Sequence, residues 1–418
     1  MNLLYQLGLT SYVFLAQFVA FFQKKARLWV RGQRNVYREL QRKVDPTFRI
    51  VWIHCASLGE FEQGRPLIEK IRTDYPRFKI LLTFFSPSGY EIRKDYSGAD
   101  FVSYLPLDTR RNAVAFIRMI QPEMVFFVKY EFWPNYFREL HRQHIPLYLV
   151  SAVFRPQQLF FKKGVAGNWY RKALKNGTHF FVQNQQSVDL LKGIGVNSVT
   201  RTGDTRFDRV AEIAANRKNL PLIRAFKGNC PLIVAGSSWE PDEEILADYI
   251  RSSSNVKIIF APHEIKPANL KRLMSIDPDH SAVYSELKEE SLSGLRILVI
   301  DSIGLLSSVY QYGDVAYIGG GFGVGIHNTL EAAIYAIPVL FGPNYLKFDE
   351  AVQLVTRELG FPVANAEELR RQLDQLLMNG QLRKKIAGGC RAFMTENIGA
   401  TEMILTSVFE NYSPASVL

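Results

Sequence analysis

A chain of 418 residues is long enough for two domains of ordinary size, and an apolar fraction of 47% excludes a disordered or low-complexity chain. The formal charge of +11 points to an anionic partner: nucleic acid, an acidic membrane surface or a phosphorylated substrate. Cys55, Cys230 and Cys390 stand too far apart for a disulfide framework or for metal spacing, as in a reducing compartment.

Residues 2–23 carry no charge and are rich in Leu, Phe, Val and Ala. Roughly 20 apolar residues cross a bilayer, so a spanning anchor is just long enough. Asn2, Gln6, Thr10 and Gln17 fall near one helical face, which suits an amphipathic helix lying in the membrane plane. Both forms of anchor are open at this point. Arg27, Arg31, Arg34, Arg38 and Arg42 follow in steps of three and four, a basic stripe on one face of a continuing helix. Positive charge after the apolar run leaves the rest of the chain on the cytoplasmic side.

From residue 50 the pattern alternates. Apolar runs at 50–54, 79–84, 101–104, 124–128, 147–150 and 180–182 read as buried parallel strands. Stretches of helical period lie between them, at 61–72, 88–96, 110–120, 133–143 and 185–192. Repeated βα units make a parallel sheet with helices on both faces. Ligands of such sheets bind beyond the carboxyl ends of the strands. Glu60 follows the first strand in the turn Ser57-Leu58-Gly59-Glu60. There a carboxylate either complements the helix end or serves as a general base, and position alone leaves both open. Glu131, after the fourth strand, is either a helix-start acid or a substrate contact, and both stay open. Residues 154–175 mix Phe160, Phe161, Trp169 and Tyr170 with Arg155, Lys162, Lys163 and Arg171. That mixture suits a membrane interface, an amphipathic anionic substrate, single-stranded nucleic acid, or a partly buried helical excursion.

A second alternating region begins after a seam near 208–219. Strands are expected at 232–235, 257–261, 297–300, 315–318 and 339–341, and helices at 351–360, 367–378, 382–395 and 400–411. Five glycines fall within residues 319–325, and Asn328 with Glu331 has capping-box spacing. Strand, glycine loop and helix start is an arrangement that holds a phosphate on backbone N–H groups. Gly236-Ser237-Ser238 and His263 also fall at strand ends. No dinucleotide fingerprint, P-loop, H-E-x-x-H, C-x-x-C or G-x-S-x-G is present, and no recognised nucleic-acid module.

Six motifs occur together and in order: Ser57-Leu58-Gly59-Glu60, Glu131-Phe132-Trp133-Pro134-Asn135, Thr202-Gly203-Asp204 with Arg206-Phe207-Asp208, Gly236-Ser237-Ser238, His327-Asn328 with Leu330-Glu331, and Phe341-Gly342-Pro343. In this combination the chain resembles the 3-deoxy-D-manno-octulosonic acid (Kdo) transferases, lipid A glycosyltransferases of Gram-negative bacteria. The resemblance implies an α/β fold of two Rossmann-like domains facing across a cleft, the GT-B plan, with an N-terminal membrane-anchoring helix. The corresponding division is residues 1–42 as anchor and basic helix, 43–212 as acceptor domain and 213–395 as donor domain. Residues 396–418 form a C-terminal helix packing back on the acceptor domain. It implies CMP-Kdo as donor, a phosphorylated lipid A precursor as acceptor, inverting transfer, no metal or other cofactor, no nucleic-acid partner, and a place on the cytoplasmic face of the inner membrane.

Residue by residue, Glu60 matches the family's general base, and Ser57, Gly59, Glu131, Arg155 and Lys162 are assigned to the acceptor. Arg206, Gly236, Ser237, Ser238, His263, Gly319, Gly320, Gly321, Asn328 and Glu331 are assigned to the donor. The chain departs from the family pattern at Lys129, where glutamate is usual, at Trp239, where histidine is common, and at Pro262-His263-Glu264, where Pro-Arg-His is common. Rival readings are another GT-B sugar-nucleotide enzyme, including a nucleotide-sugar 2-epimerase, or a non-catalytic membrane-attached binding protein of the same fold.

Overall fold

A computed structural model describes residues 2–323 and 325–410. Val324 of the glycine loop, and the residues from Asn411 on that would extend the last helix, lie outside the described residues. The chain divides into two compact units. The first runs to Arg209 and takes up the chain again from Ile398; the second is Val210–Asn397.

The first unit is built on seven parallel strands: β1 (Ile50–Cys55), β2 (Lys79–Phe84), β3 (Phe101–Tyr104), β4 (Pro122–Val128), β5 (Leu147–Ala152), β6 (His179–Val182) and β7 (Val199–Arg201). Their order is β3-β2-β1-β4-β5-β6-β7, a doubly wound arrangement. Every residue of β1 is buried, which follows from helices covering both faces of the sheet. Alternate side chains feed opposite cores. Trp52, Leu81, Val125 and Phe127 enter one; Val51, Ile53, Met124 and Phe126 enter the other. β7 has no apolar run to announce it, since Thr200 and Arg201 are exposed.

Two helices precede the sheet, α1 (Asn2–Val19) and α2 (Lys24–Gln41). The expected continuous helix is thus broken at Ala20–Gln23. There Arg27 turns onto the carbonyls of Ala20 and Phe21, at 3.1 Å each. An 18-residue helix is about 27 Å long, short of a bilayer core. Among the described residues, no helix is long and apolar enough to cross a membrane, so the spanning form of the anchor is not supported. No residue of α1 is buried. α2 buries Trp29, Val36 and Leu40 and turns Arg27, Arg31, Arg34, Arg38 and Arg42 outward.

α1 is tied to the unit through Asp108, which accepts from the Tyr5 hydroxyl at 2.8 Å and from the Asn135 and Tyr136 amides at 3.0–3.2 Å. Burial pushes the Asp108 carboxyl up to about 7, while these donors pull the other way. Its unfolded value is about 3.9. Between those values the folded state holds a proton that the unfolded chain has released. Stability should therefore fall as pH rises through about 4 to 7, then level off. Asp108→Asn is expected to flatten that profile. Denaturant titrations near pH 5 and pH 8 should show the wild type losing on the order of 2 kcal/mol more than the variant.

The C-terminal helix, Ala400–Glu410, inserts Ile404, Leu405 and Val408 into the second of these cores. Asp208 caps its start. One carboxylate accepts from the Gly399 amide at 2.5 Å, the Thr401 amide at 2.7 Å and the Thr401 hydroxyl at 2.6 Å. The last residue of the Arg206-Phe207-Asp208 motif thus has a structural task. Asp208→Ala is expected to destabilise the unit by about 1–2 kcal/mol and to raise amide exchange in residues 400–410 first.

The second unit repeats the plan with β8 (Leu232–Ser238), β9 (Lys257–Pro262), β10 (Ser281–Val283), β11 (Ile297–Val299), β12 (Val315–Ile318), β13 (Val339–Phe341) and β14 (Gly360–Pro362). The order is β10-β11-β9-β8-β12-β13-β14, all parallel. The helix expected at 351–360 instead spans Asp349–Thr356, and Gly360 opens β14. The reversal uses Glu358 at φ 58°, with Leu359 donating to the Leu354 carbonyl at 2.8 Å. The helix expected from Asn328 is also corrected. It is one turn, Leu330–Ala333, too short to present a helix dipole.

Candidate active site

In the first unit the assigned residues gather where β1, β4 and β5 end. Ser57 precedes the helix α3 (Leu58–Asp74), and Glu60 lies in its first turn, half-buried. The Ser57 hydroxyl donates to Glu60 Oε2, which fixes the carboxylate's rotamer. Gly59 is exposed, and a Cβ there would meet only Ser57 Oγ, at 3.7 Å. The turn is held from outside by the Ala56 carbonyl, which accepts from Phe85 and Ser86 amides at 3.2 and 2.7 Å. Phe85 and Ser86 also line an apolar cavity of about 380 Å³ with Tyr12, Leu15, Val19 and Trp29.

Glu131 follows β4. Its carboxylate accepts from Trp133 Nε1 at 2.5 Å and stands 3.4 Å from Nε2 of the buried His54, the fifth residue of β1. On the other edge of that ring, Nδ1 meets Thr83 Oγ1 at 3.0 Å. Glu131 is therefore braced by β1 and by its own loop. Lys129 and Ser151, at the ends of β4 and β5, take left-handed backbones, φ 67° and 50°. Such conformations are sparsely populated for residues with side chains and gather at functional sites. Lys129 and Arg155 both face the Tyr130 ring, at 5.2 and 5.8 Å. Lys162 is exposed at the end of the Leu159–Phe161 turn, and among the described residues no hydrogen bond or ion pair of its side chain is seen with the others.

Arg206 lies in the first unit. Its guanidinium grips Asp204 through Nε at 3.0 Å and Nη2 at 2.7 Å, and Gln63 Nε2 adds a third donor at 3.0 Å. Burial raises the Asp204 carboxyl, but the Arg206 charge and hydrogen bonds outweigh it and hold the group below the ordinary range. The visible role of Arg206 is this buried pair.

In the second unit the donor residues meet where β8, β9, β12 and β13 end. The glycines there answer to packing. A Cβ on Gly319 would lie 2.3 Å from the Ser237 carbonyl oxygen, and one on Gly321 would lie 2.5 Å from the Gly342 amide. Three loops from three strands thus touch backbone to backbone. Several loop amides are taken up inside the unit. Gly319 donates to Gly236, Gly323 and Gly325 to Gly320, and His327 to Gly319. Gly320, at φ 91°, donates to Asp242 Oδ2 at 2.9 Å. Asn344 clamps the loop with its amide on Gly321 O and its side chain on Gly323 O. The steric need for glycine, more than a row of free N–H groups, accounts for the run.

Asp242 organises this region, and motif reading missed it. Its buried carboxylate also accepts from the Trp239 amide at 2.9 Å and the Tyr317 hydroxyl at 2.8 Å. The available signal was an acid three residues after Trp239 at a helix start. Ser238 is buried, and its hydroxyl donates to Glu243 at 2.8 Å. Ser237 is half-buried at φ 52°. Asn328 accepts from the Leu330 amide at 3.1 Å and donates to Glu331 Oε1 at 3.2 Å, which links the two. His263 is exposed and stacks on Trp239.

A family model described as 3-Deoxy-D-manno-octulosonic-acid transferase (kdotransferase) matches residues 25–209. The 3-deoxy-D-manno-octulosonic acid transferase of Aquifex aeolicus is 29% identical over 78% of this chain and 86% of its own length. That of Haemophilus influenzae is 24% identical over 85% of each. Among solved structures, UDP-GlcNAc 2-epimerase from Neisseria meningitidis superimposes with a TM-score of 0.57 at 14% identity, covering 87% of this chain and 100% of that one. Phytolacca americana UGT2 does so with a TM-score of 0.55 at 12% identity, covering 88% and 100%. These likenesses show the fold alone and do not by themselves choose an activity.

Proposed function

We propose that this chain is a 3-deoxy-D-manno-octulosonic acid transferase, moving Kdo from CMP-Kdo to a phosphorylated lipid A precursor. The observation that carries this reading is likeness to Kdo transferases over most of both lengths, with Glu60, in the first turn of the helix after the central strand β1, meeting no cationic partner among the described residues. Glu60 takes the proton of the acceptor's primary hydroxyl as that oxygen attacks the anomeric carbon of Kdo. The bond from that carbon to the phosphate oxygen breaks, and CMP leaves with the electron pair, inverting the centre. Ser57 holds the base in place, and Gly59 leaves room for the sugar to approach. Lys129 and Arg155 supply positive charge for the acceptor's phosphates. The second unit holds the nucleotide at Ser237, Asn328 and Glu331. A monophosphate leaving group needs few counter-charges, so the transfer is read as independent of metal. Incubation with CMP-Kdo and a lipid A precursor tests this directly. The lipid should gain the mass of one or more Kdo residues; no gain in mass would refute it.

The acceptor is a lipid, and α1 with α2 suits its surface. Leu3, Leu4, Leu7, Phe14, Leu15 and Phe18 of α1 are exposed, as are Phe21 and Phe22 beyond it. With the arginine face of α2 they make an apolar and basic surface fit to lie in the plane of an anionic cytoplasmic leaflet. The neighbouring apolar cavity suits an acyl chain. Each large apolar side chain sunk into a bilayer contributes about 1.5–3 kcal/mol. Phe14→Asp with Phe18→Asp should therefore weaken binding to vesicles of anionic lipid by more than about tenfold. Co-sedimentation reads this, and unchanged binding would sink the in-plane reading.

A further inference from the structure

Three rings meet at the carboxyl ends of β8, β9 and β12 that the transfer above leaves without a task. Trp239 follows β8, His263 follows β9, and His327 ends the glycine loop. Trp239 and His263 stack at 4.5 Å with planes 25° apart, and His263 and His327 at 4.5 Å and 26°. The indole Nε1 of Trp239 lies 3.1 Å from His327 Nε2. An indole N–H can only donate. His327 Nε2 must then accept, and the proton of the neutral ring must sit on Nδ1. A protonated ring would set two N–H groups against each other.

The surroundings agree. Burial, and then the neighbouring His263, bring His327 down to about 4. Asp242 also lies beside the loop, and its carboxylate holds the amides of Gly320 and Trp239. Gly320 lies against the His327 ring, since a Cβ there would stand 3.2 Å from Cδ2. Among the described residues, no hydrogen-bond partner meets His327 Nδ1.

We propose that Trp239 is a positioning residue that locks His327 in its Nδ1–H tautomer, so that His327 donates one hydrogen bond to an anionic oxygen of the sugar nucleotide. This rests on reading the second unit as the donor domain. Trp239 thereby acts on the donor through His327, and the contact keeps one protonation state across neutral pH.

The test uses the full-length chain with ¹⁵N-labelled histidine. Wild-type His327 should show a protonated Nδ1 and a bare Nε2, unchanged from about pH 5.5 to 8. Trp239→Phe keeps a ring in the stack and removes the N–H. It should move the proton to Nε2, raise the dissociation constant for CMP and the KM for CMP-Kdo about fivefold or more, and leave kcat within about twofold. Trp239→His, which can donate again, should recover much of the loss. A wild-type ring carrying its proton on Nε2 overturns the lock. A changed tautomer with unchanged CMP affinity overturns the link to the ligand. Absence of Kdo transfer by the wild type would instead fail the functional reading, while the nitrogen spectrum still decides the lock.

Discussion

Glu60→Gln is expected to lower kcat by about 10²- to 10⁴-fold, the usual worth of a positioned general base. The amide has the shape of the carboxylate but cannot take the acceptor's proton. Ser57 can donate to the amide oxygen as it does to Oε2, so the rotamer is kept. The half-buried position in the first turn of α3 imposes no packing change. Stability should therefore stay within about 0.5 kcal/mol. The KM for CMP-Kdo should hold, because the donor is assigned to the second unit. Ser57→Ala should give a smaller loss, since it frees the rotamer and leaves the base. Steady-state rates with saturating acceptor, beside a denaturant titration, separate these effects. Full turnover in Glu60→Gln would remove Glu60 from the mechanism.

Asp242→Ala is expected to damage both stability and donor binding. The substitution strips acceptors from the Gly320 amide, the Trp239 amide and the Tyr317 hydroxyl at once. Each buried donor left unpaired costs about 1–3 kcal/mol, and sharing one cavity makes the losses less than additive. A total of roughly 3–5 kcal/mol follows. Gly320 and Trp239 flank the region assigned to the nucleotide, so the KM for CMP-Kdo should rise by more than about tenfold. Asp242→Asn should be milder. Its oxygen can serve the two backbone amides, and the Tyr317 hydroxyl can turn to accept from the new NH₂. Equal effects of Ala and Asn would mean that the negative charge, and not the set of acceptors, matters. A wild-type melting curve for Asp242→Ala would contradict the role drawn for it.

Much of the sheet was legible because a parallel strand covered on both faces must be apolar along its length. Residues 79–84 and 101–104 show the strands β2 and β3 at their observed bounds. Helix Arg110–Ile120 was equally plain, framed by the Thr109 cap and by Gln121 at φ 41°. The short strands β7, β10 and β14 were not, since three residues that are mostly half-exposed or exposed carry no pattern. At the site, the placing of Glu60 and Glu131 after strands could be read from chain order. Their bracing by Ser57, Trp133 and His54 could not.

Sequence alone determined the alternation of strands and helices, the apolar N-terminus with its basic stripe, and which loops follow strand ends. These are set by burial and period, which each segment carries within itself. Only the tertiary structure decided that the glycine run serves loops packed on Ser237 and Gly342, that Asp242 holds that packing, and that Asp208 caps a helix far along the chain. Such contacts join segments distant in sequence. A residue's partner there depends on where the strands carry it, which no local pattern encodes.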